Sequence, residues 1–350
     1  MGISKISVLF KYSLAAVAIV LITLVGCSSI YKGPVSDNFD GTRFYHNERD
    51  YTFSEFLKWM WMMDPAEWPE WIEDPNYPIP PALVGRDEIR VTHVNQATIL
   101  IQTNNFNILT DPIWSERSSP VSWTGPKRVR APGVKFEDLP SIDLILLSHD
   151  HYDHLDLPTL KDIRDRDNPK IIVGLGVGSR LHDFDKNKIH ELDWWQSYTE
   201  SNSEIKVTFV PSRHNSGRGI FDKNKTLWGG FVIESPSGRI YFAGDTGYGE
   251  FLEKIRNKFK SFRIALLPVG HYEPRWMMET HHMNPDDAVK LHTYLNVDKS
   301  IGMHFGTFGG HNDEEVDEHE KDLAEALQKY SVEKSEFILL GFGEGKSFGE

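Results

Sequence analysis

The chain has 350 residues, 39% hydrophobic and 25% charged, enough apolar content to bury a substantial core and too much for a disordered chain. A formal net charge of −13 leaves no basic excess to displace counterions from a phosphate backbone, which argues against nucleic acid as a partner. One α/β domain of about 250 residues with appendages is the expected organisation.

The first expected element, residues 1–27, is an address. Lys5 and Lys11 precede an apolar run over 13–22, and Leu24-Val25-Gly26-Cys27-Ser28-Ser29 follows. This segment resembles a bacterial lipoprotein signal. The resemblance implies cleavage before Cys27 and lipid attachment to it, and so a protein held in the cell envelope; Ser28 leans toward the outer membrane, facing the periplasm. An uncleaved anchor is the alternative, although the apolar run is near the short end for a spanning helix. Cys27 is the only cysteine, so after acylation no thiol remains for a disulfide or a metal.

Residues 28–85 are expected to form a tether and an aromatic-rich segment. Ser28, Ser29, Gly33, Pro34, Ser36 and Asp37 suit a solvated linker. Phe53-Ser54-Glu55-Phe56-Leu57-Lys58-Trp59-Met60-Trp61-Met62-Met63 predicts a short helix stopped before Pro65. Trp68, Pro69, Trp71, Pro78, Pro80 and Pro81 predict extended chain, because proline removes backbone donors. These aromatics either pack on the next domain or offer acyl chains a platform.

From 86 to 350 strands alternate with a few helices. Strands are expected over 89–102, 106–109, 171–173, 227–234 and 264–269, and helices over 157–166, 251–259, 285–295 and 314–330. Gly174-Leu175-Gly176-Val177-Gly178 lacks the Lys-Ser/Thr ending of a phosphate loop and predicts a strand-to-helix turn.

The most informative stretch of this domain follows the apolar run Leu144-Ile145-Leu146-Leu147, which predicts a buried strand ending at His149-Asp150-His151-Tyr152-Asp153-His154. Imidazole nitrogen and carboxylate oxygen suit zinc and related divalent ions, and spacing this tight lets one loop serve two adjacent metals. Further donors stand after apolar runs at His214, Asp245 and His304. Each is weak alone, since a single His is more often structural and Gly-Asp more often a turn, but their order after the cluster predicts a dinuclear centre.

His149-x-His151-x-Asp153-His154 followed by His214, Asp245 and His304 resembles the ligand set of metallo-β-lactamase-fold hydrolases, and Asp111 matches the acidic residue that ends an early strand there. A closer resemblance lies in Thr110-Asp111-Pro112-Ile113, Gly125-Pro126-Lys127-Arg128, Glu191-Leu192-Asp193-Trp194-Trp195, Phe242-Ala243-Gly244-Asp245-Thr246-Gly247-Tyr248 and Tyr272-Glu273-Pro274-Arg275-Trp276. These blocks, between about 86 and 345, are similar to those of the N-acyl-phosphatidylethanolamine-hydrolysing phospholipase D family.

The resemblance implies an α/β fold, an αββα sandwich of two mixed sheets with outer helices. It implies two zinc ions, one on His149, His151 and His214, the other on Asp153, His154 and His304, with Asp245 bridging. Asp153 and Asp245 would be catalytic through the metals, Tyr152 would touch substrate, and His282 would contact it as an imidazolium or proton donor. Where many relatives carry Gly-His-Ala-Thr, this chain has Asn95-Gln96-Ala97-Thr98, and Gln96 can donate a hydrogen bond but carry no proton. The implied reaction is metal-dependent hydrolysis of a membrane phospholipid to phosphatidic acid and an N-acylethanolamine. A lactonase or other ester hydrolase with the same metals, and a noncatalytic outer-membrane lipoprotein, are the alternatives.

Overall fold

Alternation along single strands sets the layers. In the computed structural model, which describes residues 30–201, 203–219, 221–309 and 313–349, β5 (Leu144–Leu147) is buried throughout. Leu144 and Leu146 enter one apolar cluster while Ile145 and Leu147 enter another. A period of two with both faces apolar is what a central strand between two layers requires. Ile99 and Ile101 against Leu100 in β2 (Thr98–Thr103) repeat the pattern.

Among the described residues there are two seven-stranded sheets. The first is ordered β16 (Gly345–Phe348), β1 (Ile89–Asn95), β2, β3 (Phe106–Thr110), β5, β6 (Lys170–Gly174), β7 (Ile189–Leu192). The second is β15 (Phe337–Ile338), β13 (Val297–Met303), β12 (Phe262–Pro268), β11 (Gly238–Phe242), β10 (Gly230–Ser235), β9 (Lys206–Val210), β8 (Ser197–Thr199). β4 (Lys127–Arg128) pairs with β14 (Phe308–Gly309) apart from both. Inner-face residues of both sheets share one core, in which Val91, Ile101 and Leu144 join Phe209, Phe231 and Phe242. Outside, α2 (Leu157–Asp167) covers the first sheet through Leu160 and Ile163. α3 (Phe251–Phe259), α5 (Pro285–Tyr294) and α6 (Glu318–Tyr330) contribute apolar faces to the core of the second. The αββα expectation therefore holds.

Several local expectations change. The run 89–102 is a hairpin, because Gln96 takes a left-handed conformation (φ +43°) and turns β1 into β2. The strand expected over 227–234 starts at Gly230, and the helix expected from 314 starts at Glu318. In the expected tether Pro34 and Asp37 are exposed, and just beyond it Phe39 and Phe44 bridge each other, are 1% exposed and join the main core. α1 (Phe53–Met62) forms as expected, with Thr52 and Glu55 making a reciprocal capping box. The signal segment lies outside the described residues; among those described, no helix is long and apolar enough to cross a membrane.

Strand direction positions the site. β3 and β5 are parallel, and β9, β11, β12 and β13 share one direction, β9 through its antiparallel partner β10. Their carboxyl ends carry Asp111, His149, His214, Asp245 and His304, the place where α/β sheets hold ligands.

Candidate metal centre

The loop after β5 is wound tightly enough to present three donors at once. The N–H groups of His154 and Leu155 both donate to the His151 carbonyl, at 3.2 and 2.9 Å. Asp150 turns away and pins the loop: its carboxylate meets Arg180 Nε at 3.0 Å and accepts from Gly217 N at 2.7 Å. Gly244 lets Asp245 approach, since at φ +59° a Cβ would lie 2.7 Å from Ser148 Cβ.

Two donor groups result. The ligand atoms of His149, His151 and His214 lie within 4.8 Å of one another, as do those of Asp153, His154, Asp245 and His304. Asp245 Oδ2 is 3.1 Å from both His154 Nε2 and His304 Nε2, and 3.8 Å from His214 Nε2, so it faces both groups. Imidazole nitrogens face each other at 2.8 Å (His149 Nε2, His151 Nδ1) and 3.2 Å (His154 Nε2, His304 Nε2). Lone pairs so close need a shared proton or a cation between them. Buried Asp245 Oδ1 has no hydrogen-bond partner among the described residues. The donor set fits divalent metal.

Partners behind the ligands fix their orientation. His154 Nδ1 meets Asp111 Oδ2 at 2.8 Å, His214 Nδ1 meets the His281 carbonyl at 3.0 Å, and His149 Nδ1 meets Ser148 Oγ at 2.9 Å. Each leaves Nε2 turned inward. Gln96 Nε2 donates to Asp153 Oδ2 at 3.0 Å and so steadies a ligand.

Protonation differs between the groups. Burial holds His149 and His214 well below the usual imidazole value and lowers His151, so all three stand as neutral donors. Against the cost of burial, Asp245 and Asp153 hold His154 well above that value and His304 up to about 9. These two rings must give up protons to bind a cation. Lowering the pH therefore favours the protonated rings and opposes metal. Chelator-competition titrations should show affinity at this group rising with pH by about one to two powers of ten per unit below about pH 9, with proton release. A pH-independent constant would contradict this arrangement.

Five of the donors, His151, Asp153, His214, Asp245 and His304, line a cavity of ≈ 310 Å³ together with Tyr51, Phe56, Trp59, Trp68 and Phe308. His282 lines it, with Nδ1 3.9 Å from Asp245 Oδ2. Burial holds the free His282 well below its usual value despite Asp245. Tyr152, expected at substrate, is not among the lining residues. Its hydroxyl donates to the Arg218 carbonyl at 3.0 Å, and the Arg218 guanidinium, 3.8 Å over its ring, also donates to the Asp150 and Leu155 carbonyls. Tyr152 thus braces the ligand loop from outside. Sequence reasoning missed Asp50, 3.1 Å from His281 Nε2, along with His271, Glu314 and His319 on the cavity wall. Nothing in their local pattern marks them.

The Beta-lactamase superfamily domain is matched over residues 106–305. N-acyl-phosphatidylethanolamine-hydrolyzing phospholipase D 1 of Caenorhabditis elegans is 36% identical over 264 residues, 72% of this chain and 74% of that protein. The mitochondrial N-acyl-phosphatidylethanolamine-hydrolyzing phospholipase D of Saccharomyces cerevisiae is 37% identical over 210 residues, 59% of this chain and 45% of the yeast protein, less than half its length. Isothiocyanate hydrolase from Delia radicum gut bacteria matches with a TM-score of 0.57 at 18% identity, over 75% of this chain and 100% of that one, a likeness of fold alone. The chain belongs to the beta-lactamase superfamily, as a metal-dependent hydrolase related to the N-acyl-phosphatidylethanolamine-hydrolyzing phospholipases D.

Proposed function

We propose that this protein is a zinc-dependent phosphodiesterase of phospholipase D type, cleaving N-acyl-phosphatidylethanolamine or a related lipid to phosphatidic acid and an N-acylethanolamine. The observation that carries this reading is the cavity, whose lining combines candidate metal ligands with aromatic side chains. Such a site suits a phosphodiester with apolar arms. The two relatives named for this reaction support it.

Two divalent ions, when bound, would lower the pKa of a water and offset charge on the phosphodiester. In the reaction water adds to phosphorus, the P–O bond to the ethanolamine breaks, and the departing oxygen takes a proton. Asp245 spans the donor groups, and Asp153, steadied by Gln96, orients the second. His282 is neutral in the free protein, so an arriving phosphodiester anion is the charge that would raise it and make it a proton donor.

The partner surface in this reading is a membrane. On α1, Phe53, Leu57, Met60 and Trp61 are exposed, Trp61 at 90%, and their spacing forms one helical stripe. Phe56 and Trp59, on the adjoining face, line the cavity, so apolar surface is continuous from the stripe to its wall. Lipid attachment at Cys27, with the enzyme on the periplasmic side of the outer membrane, would hold this helix at lipid.

One experiment tests reaction and location together. Membrane and soluble fractions from cells carrying the wild type or Cys27→Ala are incubated with labelled N-acyl-phosphatidylethanolamine. Phosphatidic acid and N-acylethanolamine should form, stop on chelation, and follow the membrane fraction only when Cys27 is intact. Release of diacylglycerol, or turnover of lactones without lipid cleavage, would refute the reaction; unchanged sedimentation of Cys27→Ala would refute the anchor.

A further inference from the structure

His214 stands in the long connection from β9 to β10, residues 211–229, whose described residues form no helix and no strand beyond a single bridge between Arg213 and Gly247. A connection of that length keeps a ligand in place only where other parts of the chain hold it. The first donor group is sensitive to any slack there. His149 and His151 come from one loop, so His214 alone closes that group from the second sheet, whereas two donors, Asp245 and His304, reach the second group from that side.

The hold comes from residues 43–51, which lie ahead of the 106–305 family match. Arg43 donates to the Lys223 carbonyl, Phe44 N donates to the Asn224 carbonyl at 2.7 Å, and Asn224 N donates in turn to the Ser216 carbonyl at 2.9 Å. Immediately before the ligand, Arg213 Nη2 donates to the Arg49 carbonyl at 3.2 Å, and Arg213 Nε lies 3.6 Å from Glu48 Oε2. Asp50 joins the two supports of His214. Its Oδ2 accepts from Lys223 Nζ at 3.1 Å, and its Oδ1 stands 3.1 Å from Nε2 of His281, the residue whose carbonyl meets His214 Nδ1. The Tyr51 ring lies against His281, 4.8 Å between centroids, with the Lys223 ammonium 4.0 Å over Tyr51. The second group takes its orientation elsewhere, from Asp111 on His154 and Gln96 on Asp153.

We infer that residues 43–51 are a working part of the first donor group, with Asp50 as a positioning residue that ties His281 to the 211–229 connection and so sets where His214 Nε2 points. This holds for whichever ester the metals act on, because it concerns the ligands and not the substrate. The side chains of Asp50 and Lys223 are 31% and 37% exposed, so their ion pair adds little to the stability of the fold by itself. What Asp50 contributes is the geometry of one donor. A three-donor group that loses the aim of one imidazole keeps two ligands from a single loop, too few to close a site around zinc.

The test measures zinc affinity of the full chain by chelator competition, with the metal as the only ligand and no turnover. His304→Ala damages the second group and leaves the first to be read; His214→Ala does the reverse. In the His304→Ala background, Asp50→Ala should raise the zinc Kd about tenfold, and in the His214→Ala background the same change should move it less than about twofold. Asp50→Glu, which keeps the carboxylate, should recover part of the loss, and Asp50→Asn, which keeps the shape without the charge, should recover less. Elemental analysis of Asp50→Ala in the otherwise wild-type chain checks the result without the background changes: under dialysis in which the wild type keeps two ions, the variant should keep about one. Equal shifts of Kd in the two backgrounds, as a general lesion of the fold would give, overturn the inference, as do an unchanged Kd in the His304→Ala background and retention of both ions or of neither.

Discussion

Replacing Asp245 with alanine is expected to lower metal content at both donor groups and to reduce hydrolysis on the order of 10³-fold. The carboxylate is 2% exposed and lies within 3.1 Å of two ligand histidines in one group and 3.8 Å of one in the other. Without it, His154 and His304 lose the anion that contributes most to holding them protonated in the metal-free protein. His214→Ala is the contrasting variant. It removes one neutral donor from the group His149, His151 and His214, so metal loss should concentrate there. Elemental analysis after dialysis against a weak chelator separates the cases, with circular dichroism to show that both variants fold. Asp245→Ala with two ions per chain and full activity would sink the assignment.

The ligands were legible because each stands singly or in one tight cluster soon after an apolar run, and a strand end is where rigid backbone meets open space. The run Leu144–Leu147 announces its own strand, and His149 follows two residues beyond. What stayed hidden depends on contacts between distant segments. The turn at Gln96 carries no glycine or proline, so the apolar pattern over 89–102 reads as one strand. Phe39 and Phe44 are isolated apolar residues in a polar segment, and only the domain they cover makes them core. Strand β16 is short and half polar, yet it completes the sheet edge by pairing Ile89 with Phe348. Tyr152 sits inside the ligand motif, but the Arg218 guanidinium over its ring holds it outside the cavity. The resemblance named the family's ligands; the pairing of Asp50 with His281, from opposite ends of the chain, required the fold.

The change expected to cost most stability is Asp111→Ala, at a residue that should touch no substrate. Asp111 ends β3 with a positive φ (+34°) and is fully buried. Its carboxylate accepts from Ser148 N at 2.8 Å and Ser148 Oγ at 2.6 Å, and meets His154 Nδ1 at 2.8 Å. Burial raises its pKa on balance, with His154 and Ser148 pulling the other way, so these partners offset part of the cost of holding the anion there. Alanine would leave two donors on Ser148 and one on His154 buried and unpaired. Breaking one side of a buried charged contact costs about 3–5 kcal/mol, a large share of a domain's stability. His154 would also lose the partner that turns Nε2 toward the second donor group, weakening metal there roughly 10–100-fold. Denaturant unfolding of metal-free protein reads the first effect, and metal titration at a temperature where the variant is folded reads the second. Asp111→Asn, which keeps an acceptor oxygen but not the charge, should fall between alanine and wild type in both. If Asp111→Ala unfolded at the wild-type midpoint and bound metal as tightly, the chain from β3 through Asp111 and His154 to the metal would have no energetic content.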